Sequence, residues 1–290
     1  MMPISEHFIE THWPLTGVSL GEILQEFDQR LVRVIMSNEG PFIVKVSDQW
    51  HSAETATRHT FIFDYLQDNN FSHAPAILKT KSGRNFQAIN DQYALVLPYL
   101  PGEAPAKDRE TYRRLGEILG HLHALTDYPY PYLFSVADVL PEFFELAKRL
   151  PFGEEYIQLV KALPDFEDFP LSLIHGEMIG NAIQTPDDRI IILDWDEAGI
   201  GTRILDLGHP LIQVFLSEDL VFDQVGAPAF YQGYFSKGSL TGREREHIFD
   251  AALFYALRYV NVIYGDTGKR WQRIKFAVDN RAMLDSAIRG

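Results

Sequence analysis

The chain has 290 residues, and its 26 Lys and Arg against 40 Asp and Glu leave a formal charge of −14. Such a surplus of acid excludes a nonspecific nucleic-acid binder, whose affinity comes from neutralising phosphates with basic side chains. The 46% hydrophobic and 13% aromatic content excludes an intrinsically disordered chain, and the lack of cysteine removes disulfides, thiolate nucleophiles and cysteine-ligated zinc or iron–sulfur sites.

In chain order, Met1–Trp13 carries Glu6 and Glu10 where a secretory leader needs an unbroken apolar core. No stretch approaches the ~18 apolar residues of a membrane span, so a soluble, cytoplasmic protein with no membrane partner is expected. Leu31–Met36 and Phe42–Ser47 are rich in β-formers and separated by Ser37-Asn38-Glu39-Gly40-Pro41, which predicts a hairpin. Ala53–Leu66 sets His59, Ile62, Phe63 and Leu66 at helical spacing, and the polar run Gln67–Asn70 predicts the helix end. Tyr93–Leu97 reads as a strand running into Pro98-Tyr99-Leu100-Pro101-Gly102, a boundary. Two domains follow: residues 1–98, β-rich, and residues 99–290, mainly helical.

In the second part, Tyr112, Leu115, Ile118, Leu119, Leu122 and Leu125 recur at three- and four-residue steps, as an amphipathic helix requires. Val139–Leu150 and Ile248–Val260 read similarly. A β-rich island, Ile190–Leu193, follows the turn-forming Pro186–Arg189 and predicts a hairpin among helices. Asp165, Glu167 and Asp168 alternate with phenylalanine and read as a solvated loop.

The densest set of polar candidates lies in residues 172–199. The apolar pair Leu173-Ile174 delivers His175, Gly176, Glu177 and Asn181 into a loop, and a short strand then delivers Asp194. Carboxylate and carboxamide oxygens suit a hard cation such as Mg²⁺, which keeps waters and substrate phosphates in its remaining positions. A further carboxylate is suited to take a proton from an attacking hydroxyl.

These residues, His175-Gly176-Glu177, Asn181 and then Asp194-Trp195 thirteen residues after Asn181, resemble the catalytic segment of the aminoglycoside phosphotransferase and choline kinase family, relatives of the protein kinases. The resemblance extends to Lys45 in FIVKV, at the place of the β3 lysine, to Leu122-His123, to the hinge-like Leu95–Gly102 and to Asp206-Leu207. It implies an α+β, bilobal, protein-kinase-like fold with a small antiparallel β-sheet N-lobe and a mainly helical C-lobe. It also implies a small-molecule kinase that uses ATP or GTP with Mg²⁺ and a small hydroxylated, amine-bearing acceptor. By the same resemblance Lys45 binds the nucleotide phosphates, Asn181 and Asp194 hold the metal, Glu177 is the catalytic base and Asp206 braces the catalytic loop.

Three departures stand out. The base is Glu rather than Asp, and Asn181 follows it by four positions where kinases have five. The segment Gln25–Arg30, at the place of the nucleotide-covering loop, contains no glycine and carries Glu26 and Asp28. The core-facing helix position expected to supply a Glu for Lys45 holds His59, while Glu54 shares a face with Arg58. These departures point to an alternative, a nucleotide-binding but catalytically impaired, pseudokinase-like regulator. Asn181 is otherwise a turn former, and Asp196 and Glu197 either contact a cationic substrate or second ion or form a charged loop. Competing motifs fail: Gly265–Arg270 has the wrong glycine spacing for a phosphate loop and Arg270 in place of its Ser/Thr. The H-x-E at His175 lacks the cysteines of a zinc deaminase.

Overall fold

Local patterning accounts for most of the first hundred residues of the computed structural model, which describes residues 4–27, 30–47, 52–132, 136–261 and 266–289. Helix α1 (Glu6–His12) is capped by Ser5, whose Oγ accepts from Phe8 N at 3.2 Å. Strands β1 (Ser19–Phe27), β2 (Arg30–Ser37) and β3 (Gly40–Ser47), then helix α2 (Ala53–Asp68), then strands β4 (Gln87–Ile89) and β5 (Gln92–Pro98) follow. The strands form one antiparallel sheet in the order β1-β2-β3-β5-β4.

The expected hairpin is β2–β3, closed where Ser37 pairs with Gly40. Strand alternation sends Val44 and Val46 to one face, where they join Leu31, Ile35, Ala94 and Val96 in a core shared with Ile9 and Trp13. Lys45 therefore takes the opposite face, across from the buried Leu95. Helix α2 buries His59, Ile62, Phe63 and Leu66 as its spacing predicts, and it ends at Asn69, with Asn70 at φ 57°. The stretch assigned from sequence to a covering loop is strand as far as Phe27, because Gln25 and Glu26 pair with Val32 and Leu31. Asp28, Gln29 and Gly265 lie outside the described residues.

Next come helices α3 (Arg109–Leu122), α4 (Val136–Ala147) and α5 (Gly153–Lys161), strand β6 (Leu171–Ile174), the hairpin strands β7 (Ala182–Gln184) and β8 (Ile190–Ile192), and strand β9 (Gly199–Thr202). Helices α6 (Ile204–Gln213), α7 (Gly226–Lys237), α8 (Gly242–Glu246), α9 (Ile248–Arg258), α10 (Thr267–Asp279) and α11 (Arg281–Arg289) complete the order. The acidic run at Asp165–Asp168 holds a short 3-10 turn whose carboxylates are exposed while Phe166 and Phe169 are buried. None of the described helices is long and apolar enough to cross a membrane.

Two compact units result, residues 1–104 with 183–196 and residues 105–182 with 197–290. The sequence places the β7–β8 hairpin in the second domain, but its polar backbone is satisfied in the first. Glu103 and Gln184 exchange backbone hydrogen bonds of 3.1 and 2.8 Å, and Ile192 N donates to His73 O at 2.7 Å. The His73 Nδ1–H donates to Ile190 O at 2.8 Å. Such pairings are long-range, so local sequence pattern does not carry them.

In the second unit, α9 is buried on every side from Ile248 to Leu257, as befits a central helix, and it packs on α6. Helices α3 and α7 approach closely because glycines face backbone: a methyl at Gly116 would overlap Phe230 O, and one at Gly233 would overlap Arg113 O. Gly116→Ala is therefore expected to destabilise the protein by about 3 kcal/mol through overpacking. Gly242→Ala, where no atom lies within 4 Å of the added carbon, should change it by less than about 0.5 kcal/mol. Urea unfolding midpoints of the two variants check this.

Candidate functional site

The first unit gathers charge around Lys45. Strand β3 presents its ammonium to Asp194 Oδ1 at 2.8 Å and to Asp196 Oδ2 at 2.7 Å, two carboxylates from the segment after β8. The buried Trp195 between them anchors this segment: its Nε1–H donates to Ile192 O at 2.8 Å, and its ring meets Phe71 edge-on at 5.8 Å. Asp194 sits at φ 56°, in the left-handed region that β-strand residues avoid. Strain of this kind persists where surrounding structure holds it, commonly at functional positions. Burial acts to lower the Lys45 pKa, but Asp196 and Asp194 outweigh it and hold the ammonium above its ordinary value. Lys45 is thus a fixed cation.

In the second unit, β6 pairs with β9, Ile174 opposite Gly199, and releases the chain into His175-Gly176-Glu177. Here the buried Asp206 on α6 organises the loop. Its Oδ1 accepts from Gly176 N at 2.5 Å, and its Oδ2 accepts from His175 N at 2.8 Å and from His123 Nε2–H at 3.2 Å. Burial pushes the Asp206 carboxyl upward, yet the donors from His123 and His175 hold it below its ordinary value. Burial holds His123 below its own ordinary value, so the neutral ring can donate from Nε2 while Nδ1 accepts from Tyr234 O–H at 3.1 Å.

Gly176 adopts φ 94°, and a methyl there would overlap the Tyr132 hydroxyl, so position 176 requires glycine twice over. Glu177 follows with a side chain 53% exposed. The short loop closes in a 3-10 turn, Ile179–Asn181, in which Asn181 Nδ2 donates to Glu177 O at 3.0 Å. This directs the amide nitrogen to the backbone and leaves Oδ1 as the group suited to a cation.

These halves belong together in one family. A profile of the phosphotransferase enzyme family matches residues 19–249, most of the chain and both of its units. The chain is a member of the phosphotransferase enzyme family. No curated protein sequence matches it. Among solved structures it is similar to an amicoumacin kinase in complex with AMP-PNP, Ca²⁺ and Ami, at TM-score 0.70 and 14% identity over 98% of this chain and 94% of that one. An aminoglycoside phosphotransferase from Alicyclobacillus acidocaldarius gives TM-score 0.67 and 14% identity over 99% and 95% of the two chains. An ethanolamine kinase from Plasmodium vivax gives 0.61 and 14% over 93% and 84%. The α+β, kinase-like fold expected from sequence is the fold of these neighbours.

For this phosphotransferase the structure brings together Lys45 and Asp194 in the first unit, and Glu177 and Asn181 in the second. Two sets of residues near them were not assigned roles from sequence. Asp196, read from sequence as contacting a substrate or second ion or as part of a charged loop, is buried against Lys45. Below Glu177 lies an aromatic floor: His209 Nε2 is 4.0 Å from Glu177 Oε1, the Tyr255 ring stands 5.0 Å from His209, and the hydroxyls of Tyr132 and Tyr255 are 3.3 Å apart. Tyr255 on α9 and the helix's C-cap residue Tyr259 fall four apart, a spacing legible in sequence only as core periodicity.

Burial depresses the His209 pKa from 6.5 to about 4, so the ring is neutral in the folded protein. An unfolded chain with an ordinary imidazole binds a proton below pH 6.5 that the folded chain refuses. Stability is therefore full above pH 6.5 and falls as pH drops toward 4. His209 alone should cost roughly 3 kcal/mol across that window. Urea unfolding at a series of pH values should show His209→Gln less sensitive to acid than the wild-type protein.

Proposed function

We propose that this phosphotransferase transfers the γ-phosphate of ATP or GTP to a hydroxyl of a small, amine-bearing acceptor. The observation that carries this is the 2.8 Å pairing of Lys45 with Asp194, 149 residues apart in the chain. It joins a fixed cation suited to nucleotide phosphates to a carboxylate suited to a divalent metal. Oxygen donors at Asn181 and Asp194 fit Mg²⁺, whose chemistry when bound is to draw charge from the phosphoryl oxygens. Lys45 would bind the α- and β-phosphates, and Glu177, set on the loop that Asp206 braces, would accept the proton of the attacking hydroxyl. The extra methylene of Glu would lengthen the reach from the shorter loop. Phosphoryl transfer depends on positioning and charge neutralisation more than on the strength of one base.

An amine-bearing acceptor is supported by the surroundings of Glu177. The half-buried Tyr259 offers an aromatic ring on which the Glu177 and Glu197 carboxylates both act, with the buried Tyr255 packed against it, a combination that attracts organic cations. The overall charge of −14 favours encounter with such molecules. The catalytically silent regulator finds no support in the family match or the neighbouring folds.

Purified protein with Mg²⁺ and saturating ATP or GTP should show a raised melting temperature, corresponding to about 2.7 kcal/mol at a hundredfold excess over Kd. Asp194→Ala should abolish both this shift and phosphate transfer to a panel of amino alcohols and aminoglycosides. Glu177→Gln should keep the shift and lower kcat by about 10² to 10⁴. Absence of a shift in the wild-type protein with either nucleotide overturns the reading.

A further inference from the structure

In kinase-like sites the β3 lysine is positioned by a carboxylate from the adjoining helix. Here the residue of α2 that reaches this segment is His59, which brings no negative charge. Its Nδ1–H instead donates to the backbone oxygen of Asp196 at 2.6 Å. The Asp196 side chain in turn holds Lys45 through Oδ2 at 2.7 Å, with Arg30 Nη2 at 4.0 Å from the same oxygen. The helix thus reaches the lysine through the main chain of another segment.

The two carboxylates on Lys45 are not equivalent. The Asp194 side chain is 49% exposed and the Asp196 side chain 9% exposed. The exposed one is accessible to a cation in solution. The buried one is enclosed with the ammonium, and the buried Trp195 and the His59 hydrogen bond fix its backbone on either side.

We propose that Asp196 is the positioning carboxylate of Lys45, taking the part of a helix carboxylate, since the ion pairs of Lys45 are with Asp194 and Asp196 while Asp64 of α2 pairs with Lys79, and keeping the ammonium in place when Asp194 turns to the metal. This rests on the phosphotransferase reading, in which Lys45 meets nucleotide phosphate. His59 contributes by holding the Asp196 backbone rather than by charge.

A double-mutant cycle tests it, because residues that act through one another are non-additive. By calorimetry with Mg²⁺ and ATP, Asp196→Asn is expected to weaken nucleotide binding about tenfold, and by less than twofold in the Lys45→Met background. The Asp196→Asn/His59→Glu double, which returns the carboxylate to the helix, should recover most of the loss. Equal losses in both backgrounds, or a raised Mg²⁺ requirement with no dependence on Lys45, overturn the positioning role and make Asp196 a metal ligand. Melting temperatures without nucleotide supply the second measurement: removing both charges should cost less than the sum of the single losses. Should Asp196→Asn alone not fold, the Lys45→Met/Asp196→Asn double is expected to fold, and its failure counts against the pairing. Additive melting losses with nucleotide binding intact overturn this inference alone. A wild-type protein that binds no nucleotide overturns the phosphotransferase reading with it.

Discussion

A carboxylate enclosed away from water must be given hydrogen-bond donors, and the way Asp206 is given three of them organises the second unit of this protein. Two donors are the backbone N–H groups of His175 and Gly176, so the charge on α6 dictates the path of the loop that carries Glu177. The third is His123 at the end of α3, itself tied to Tyr234 on α7. The chain Tyr234–His123–Asp206, with its bonds to His175 N and Gly176 N, links the close-packed α3 and α7 to the two residues before Glu177. The loop backbone is thereby rigid, and the exposed Glu177 projects from a fixed base.

In the first unit the equivalent constraint is a lysine directed away from the sheet's main core. Val44 and Val46 take the core face of β3, which leaves Lys45 on the other, where Leu95 is buried as well. An ammonium there needs counter-charge, and the segment after β8 supplies two carboxylates. The left-handed turn at Asp194 and the buried indole of Trp195 shape that segment. Charge compensation and backbone strain thus meet at Asp194.

Much of this was legible in the sequence, for identifiable reasons. The β2–β3 hairpin, α2 and α3 follow from alternation and helical spacing, which are local properties. The candidate residues Lys45, Glu177, Asn181 and Asp194 stand out because their types and spacing resemble a phosphotransferase segment, and Asp206 stands out likewise. Strand β1 was obscured because its register with β2 shifts between Leu20 and Gln25, which breaks simple alternation. Helices α6 and α9 are apolar on nearly every side, so amphipathic periodicity marks their centres weakly.

By itself, then, the sequence determined the family, the β2–β3 hairpin with α2, β5 and α3, and the chemical types available for phosphoryl transfer, because these depend on residues near one another in the chain. Only the tertiary structure decided which charges meet. It assigned the 183–196 hairpin to the first unit, gave Lys45 its two carboxylates, made His59 a support for Asp196 and set the tyrosines of α9 beneath Glu177. Each of these pairs residues far apart in sequence, and burial selects such pairs by requiring that every enclosed charge and backbone polar group find a partner.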